Sequence, residues 1–114
     1  MIIGEYVLFI DDERVPTSSV PIIARNYNDA INIMELAGCP YYVMFDHDLG
    51  EGELTGYDIA KWIVNRDIAM NGEFMPDYFE FSVHSQNPVG KENIEKLFEN
   101  YMRVKNELSI SSNQ

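Results

Sequence analysis

Cysteine is almost absent from this sequence: Cys39 is the single one in 114 residues. That excludes an internal disulfide framework and makes a reducing cytoplasm the expected location. Positive charge is scarce as well. Eight Lys and Arg stand against nineteen Asp and Glu, for a formal net charge of −11. A broad basic surface for DNA or RNA backbones is therefore excluded, whereas divalent cations held by carboxylates, or a basic protein partner, remain compatible. No apolar run approaches the roughly 20 residues of a membrane span, so no membrane is expected among the partners. The N-terminus "MIIGEYVLFIDDE" has no basic n-region and no small-residue cleavage site, and reads as a strand rather than a signal peptide. Histidine is rare too: His47 and His84 are the only two.

The length suits one compact domain, expected over residues 1–108 with a flexible tail at 109–114. Four apolar runs read as strands: "EYVLFI" (5–10), "VPIIAR" (20–25), "YYVMFD" (41–46) and "YFEFSVH" (78–84). The first three are nearly continuous, as expected of parallel strands covered on both faces. The fourth alternates more and is expected at an edge. Between them lie three helical patterns. Residues 28–37 place Ala30, Ile33, Met34 and Ala37 on one face and end at Gly38 and Pro40. Thr55 and Asp58 form a capping box for a helix over 56–70, with Ile59, Ala60, Ile63 and Val64 inside. Asn87 and Pro88 open the last helix, whose stripe is Ile94, Leu97, Phe98, Tyr101 and Leu108. Strand–helix alternation predicts a parallel α/β sheet. The link "DDERVPTSS" (11–19) is too short for a helix and predicts a loop or single turn.

Parallel strands share a direction, so their C-terminal ends line one edge of the sheet, where open α/β sheets bind ligands. Those ends carry Asp11 and Asp12, then Arg25, then Asp46, His47 and Asp48, then His84 and Ser85. Two carboxylates about 5 Å apart repel by about 3 kcal/mol at an effective dielectric of ~20, and a bound cation relieves such a cluster. Oxygen ligands point to Mg²⁺ or Mn²⁺ rather than zinc. The four carboxylates Asp11, Asp12, Asp46 and Asp48 are the candidate metal ligands. The segment "QNPVG" after Ser85 opens a helix, and helix N-termini bind anions. With Arg25 nearby, Ser85, Asn87 and the amides up to Gly90 are the expected phosphate-binding groups.

The motifs "DDERVP", "FDHDLG" followed by "TGYDIAKWI", and "HSQNPVGKENI" resemble those of the cyclic-phosphate processing receiver family, a divergent branch of response-regulator receiver domains, over roughly residues 6–102. The resemblance implies a small flavodoxin-like, three-layer α/β domain, with a mainly parallel four-stranded sheet of order 2-1-3-4 and about three helices. It maps Asp11 and Asp12 onto the metal-binding acidic pair and Asp46 onto the phosphate-accepting position. Ser85 falls on the hydroxyl that contacts the phosphoryl group. His47, Asp48, His84 and Asn87 match the branch's extra polar residues, and with Asp46 the first three form the expected catalytic set. The chain lacks the Lys that receivers carry after a fifth strand, which argues against a phosphorylation-driven switch. The expected activity is metal-dependent hydrolysis of a cyclic phosphate, with a phosphate-containing small molecule or RNA end as partner and a monomer or weak dimer as the assembly. Two other classes fit the same residues: a non-catalytic sensor that binds a phosphorylated ligand, and an acidic, phage-type protein that engages a basic host surface.

Overall fold

The computed structural model describes residues 5–16 and 21–112, with side chains through residue 107. Four strands, β1 (Val7–Ile10), β2 (Ile22–Ala24), β3 (Tyr42–Phe45) and β4 (Glu80–Val83), alternate with three helices, α1 (Tyr27–Ala37), α2 (Gly56–Ala69) and α3 (Pro88–Ser112). All strand pairs are parallel and the order is β2-β1-β3-β4. β4 is an edge strand, as its alternation predicts. Each strand is shorter than its apolar run by two or three residues in all, and residues 17–20, the end of the expected "DDERVPTSS" link and the first residue of the second run, lie outside the described residues. Residues 11–16 form an irregular loop.

The caps follow from local chemistry. The Asn26 side chain accepts the N–H of Asp29 to start α1, and Gly38, at φ 80°, ends it in a conformation that costs glycine little. Thr55 and Asp58 close a complete capping box on α2. α3 extends to Ser112, so its backbone includes residues 109–112, where the sequence expects a tail. Leu108, expected on its apolar stripe, lies beyond the described side chains.

The register puts Leu8, Ile22, Val43 and Phe81 in one row across the sheet, and Ile10, Ala24, Phe45 and Val83 on the same face two residues on. That face holds the core. Leu8, Ile10, Val43, Phe45, Ile59, Ile63, Ile94 and Phe98 are fully buried, and Phe98 of α3 packs against Phe45, Phe79 and Phe81. On the opposite face Val7, Ile23, Tyr42 and Met44 are half-buried and, with the buried Phe9 between them, lie outside the core cluster of the described residues. Continuous apolar strands suggest cover on both faces; topology explains the difference. The crossovers β2–α1–β3 and β3–α2–β4 advance in the same direction across the sheet, so the favoured hand places both helices on one side.

At the end of the domain away from the strand C-termini, Asp67 of α2 is fully buried and accepts four hydrogen bonds. They come from the N–H groups of Phe74 and Met75, the Tyr101 hydroxyl and Lys105 Nζ, at 2.5–2.9 Å. This carboxylate ties the α2–β4 connection to α3. Burial raises its pKa, but the donors outweigh burial and hold it below the ordinary aspartate value.

Candidate metal and phosphate site

β1 runs out of ladder at Ile10, and Asp11 follows as a buried residue whose backbone N–H still pairs with Ala24. Its Oδ1 accepts the backbone N–H groups of Glu13 and Arg14, at 3.1 and 2.9 Å, so the loop wraps around the carboxylate. Oδ2 faces His84 Nε2 at 3.2 Å. Burial raises the Asp11 pKa, but the Arg14 and Glu13 N–H groups and the His84 ring together bring it below the ordinary value.

Asp46 follows β3 in the same way, with its N–H on the Ile10 carbonyl, so the two carboxylates sit on neighbouring strand ends. Its environment has the opposite sign. Burial, then the Asp11 charge, raises its pKa; His84 and Arg14 offset part of this and Asp12 adds to it. The turn that carries Asp46 rests on the start of α2, where Gly56 N–H donates to the His47 carbonyl at 2.8 Å. A Cβ on Gly56 would lie 2.1 Å from the Asp46 carbonyl oxygen, so only glycine fits there.

His84 follows β4. Its backbone N–H pairs with the Phe45 carbonyl and its ring stacks on Phe9, with centroids 5.1 Å apart and planes 7° from parallel. Nδ1 is buried without a hydrogen-bond partner among the described residues. A carboxylate can only accept, so Nε2 carries the hydrogen toward Asp11. Donor atoms of Asp11, Asp46 and His84 all lie within 4.8 Å of one another.

Asp11 and Asp46 border a pocket of about 480 Å³ at the C-terminal edge of the sheet. Asp11, Asp12, Glu13 and Arg14 line it from the loop after β1, Asp46, Asp48, Gly50 and Glu51 from the loop after β3, and Gln86 from the loop after β4. The expected ligand Asp12 is on the wall, but exposed and outside the tight cluster, whose third member is His84.

The remaining expected residues hold the loops together rather than the pocket floor. Arg25 Nη1 donates to the carbonyls of Asp11 and Arg14, at 3.1 and 2.6 Å, and so braces the first loop from behind. His47 Nδ1 lies 2.8 Å from Asp48 Oδ1 and 3.4 Å from the Asn87 side-chain nitrogen. The His47 ring lies so close to Gly90 that a Cβ there would come within 2.3 Å of it. Asn87 Oδ1 accepts the Gly90 N–H at 2.9 Å, and the Ser85 hydroxyl oxygen accepts the Asn87 N–H at 3.0 Å. Two of the amides expected to bind phosphate are thus engaged in capping α3, and Gly90 serves as a seat for His47.

Reasoning from strand ends misses Arg14, Glu13, Glu51 and Gln86 in the pocket wall, since they come from loops with no periodicity. "DDER" places the first two within three residues of Asp11, and that proximity was the available signal. Cys39 offers no second chemistry: burial, then the nearby Asp67 charge, pushes its thiol up to about 12. No helix among the described residues is long and apolar enough to cross a membrane.

A family model described as the cyclic-phosphate processing receiver domain matches residues 6–100. Comparisons with curated proteins and with solved structures returned no match.

Proposed function

The chain belongs to the cyclic-phosphate processing receiver family, and from that membership we propose that its acidic pocket hydrolyses a cyclic phosphate, in a nucleotide or at an RNA end, with the help of a divalent cation. The observation that carries the reading is the convergence of Asp11, Asp46 and His84 donor atoms within 4.8 Å at the edge of the sheet. The two carboxylates suit Mg²⁺ or Mn²⁺, which take oxygen ligands and keep several waters. The raised Asp46 pKa, caused in part by the Asp11 charge, is the electrostatic mark of a pair that a cation would stabilise. Asp11 and Asp46 would hold the ion, with Asp12 on the adjacent wall. The ion would supply Lewis acidity toward the phosphoryl oxygens.

Ring opening adds water across one P–O bond. The water oxygen joins phosphorus, the bond to the ring oxygen breaks, and the water's proton ends on the released hydroxyl, leaving a phosphomonoester. Arg14 and Gln86 are the donors of the wall that can orient the phosphate. His84 Nε2 lies 3.2 Å from Asp11 Oδ2, a carboxylate that can only accept. His84 therefore fits the role of a fixed donor that positions Asp11 Oδ2, rather than the proton exchanger its residue type suggests. His47, Asp48 and Asn87 hold the loop after β3 against α3.

The test is to incubate the protein with 2′,3′- and 3′,5′-cyclic phosphates, with and without Mg²⁺, and look for opened products. Mg²⁺-dependent opening of at least one supports the reading. Binding without turnover across the panel would favour a sensor, and neither binding nor turnover would refute both.

A further inference from the structure

The pocket wall says what kind of body carries the phosphate. Beyond Asp11 and Asp46 it presents, among the described residues, four more carboxylates, Asp12, Glu13, Asp48 and Glu51, and a single cationic side chain, Arg14. Among the described residues, no aromatic side chain lines it. The other basic residues closest in sequence to the site's loops are otherwise placed: Arg25 is bonded to loop carbonyls, and Lys91 is on the exposed surface of α3. Recognition of a single-stranded RNA end relies on a basic groove along the backbone and aromatic faces under splayed bases. This pocket has neither, and its rim repels each additional backbone phosphate. Carboxylates do accept hydrogen bonds readily from sugar hydroxyls. A volume of about 480 Å³ falls in the range of small-molecule sites.

Resting on the hydrolytic reading above, we propose that the substrate is a cyclic phosphate on a small, hydroxyl-rich body carrying one negative charge, such as a mononucleoside or free sugar, and that the acidic rim excludes the end of an RNA chain. Asp12, Glu13, Asp48 and Glu51 are then specificity residues that act by repulsion.

The experiment compares a mononucleoside 2′,3′-cyclic phosphate with an octaribonucleotide ending in the same group, both with Mg²⁺. At about 20 mM salt the octamer should show a kcat/KM lower by about tenfold or more, and the gap should shrink toward about 0.3 M salt as screening grows. That salt response is the reverse of ordinary nucleic-acid binding, which weakens with salt. Glu13→Lys with Glu51→Lys, both at exposed positions, should move the ratio of the two substrates toward one. Equal turnover of both substrates at low salt overturns the inference alone. So does a gap unmoved by salt and by charge reversal, which would mark a steric limit. If native protein neither opens nor binds either compound, the hydrolytic reading falls and this inference with it.

Discussion

Replacing Asp46 with Asn removes one of two facing charges while keeping the side chain's shape. Charges 4.8 Å apart, the outer bound of the Asp11–Asp46–His84 cluster, repel by about 3 kcal/mol at an effective dielectric of ~20. Asp46 is half-buried beside an open pocket, so solvent screening reduces this, and the lost attraction to His84 and Arg14 reduces it further. A net stabilisation of about 1 kcal/mol is expected for metal-free Asp46→Asn at neutral pH, or about 4 °C in melting temperature for a domain of this size. The pH dependence has a definite sign. The folded pKa of Asp46 lies above its unfolded value, so the folded state binds more protons, and native stability falls as pH rises through that window. The advantage of Asp46→Asn should therefore vanish as pH drops below the raised pKa. Scanning calorimetry in EDTA across acidic to neutral pH reads all of this. Millimolar Mg²⁺ should raise the native melting temperature and leave the variant nearly unmoved. A variant less stable than native in EDTA, or an equal Mg²⁺ shift in both, would refute the repulsion argument.

Gly90→Ala should lose about 1–3 kcal/mol in urea unfolding through the clash with His47. Adding His47→Ala should restore much of it; no restoration would mean that something other than the ring meets the new methyl. Gly56→Ala should be worse and unrescued by His47→Ala, because its clash is with the Asp46 backbone. Asp67→Ala should cost about 3–5 kcal/mol, since it strands the buried ends of Tyr101 and Lys105. Because the Asp67 pKa is lowered by folding, its contribution should disappear as pH falls through that lowered value; a loss unchanged by acid would contradict the pairing.

The sheet was legible because its strands obey a simple rule. Apolar runs bounded by turn signals marked all four strands, and short strand–helix connections implied their parallel direction, with the Thr55 and Asn87 caps marking where two helices begin. The convergence of Asp11, Asp46 and His84 was legible for the same reason, since parallel strands bring their ends to one edge. Side-chain direction beyond the last ladder bond was not. Asp11 is turned inward by the Glu13 and Arg14 amides, and nothing in "DD" says which aspartate the loop will wrap. The Asn87-Pro88 cap was read correctly as a helix start, yet its amides are engaged within the cap. Asp67 sits in a helix that reads as ordinary and amphipathic; its partners Tyr101 and Lys105 are more than thirty residues away, beyond any local pattern.

The central claim is that a cation held between Asp11 and Asp46 makes this edge of the sheet a site of phosphate ring opening. Following ³¹P NMR of a mononucleoside 2′,3′-cyclic phosphate over a Mg²⁺ titration, with native protein and Asp46→Asn side by side, tests it most directly. The account predicts a phosphomonoester signal that grows with Mg²⁺, saturates, and is lost in EDTA, with the variant slower by about 10²-fold or more, as befits loss of a group that stabilises transition-state charge. The same rate in EDTA, or equal rates for the two proteins at saturating Mg²⁺, would contradict it.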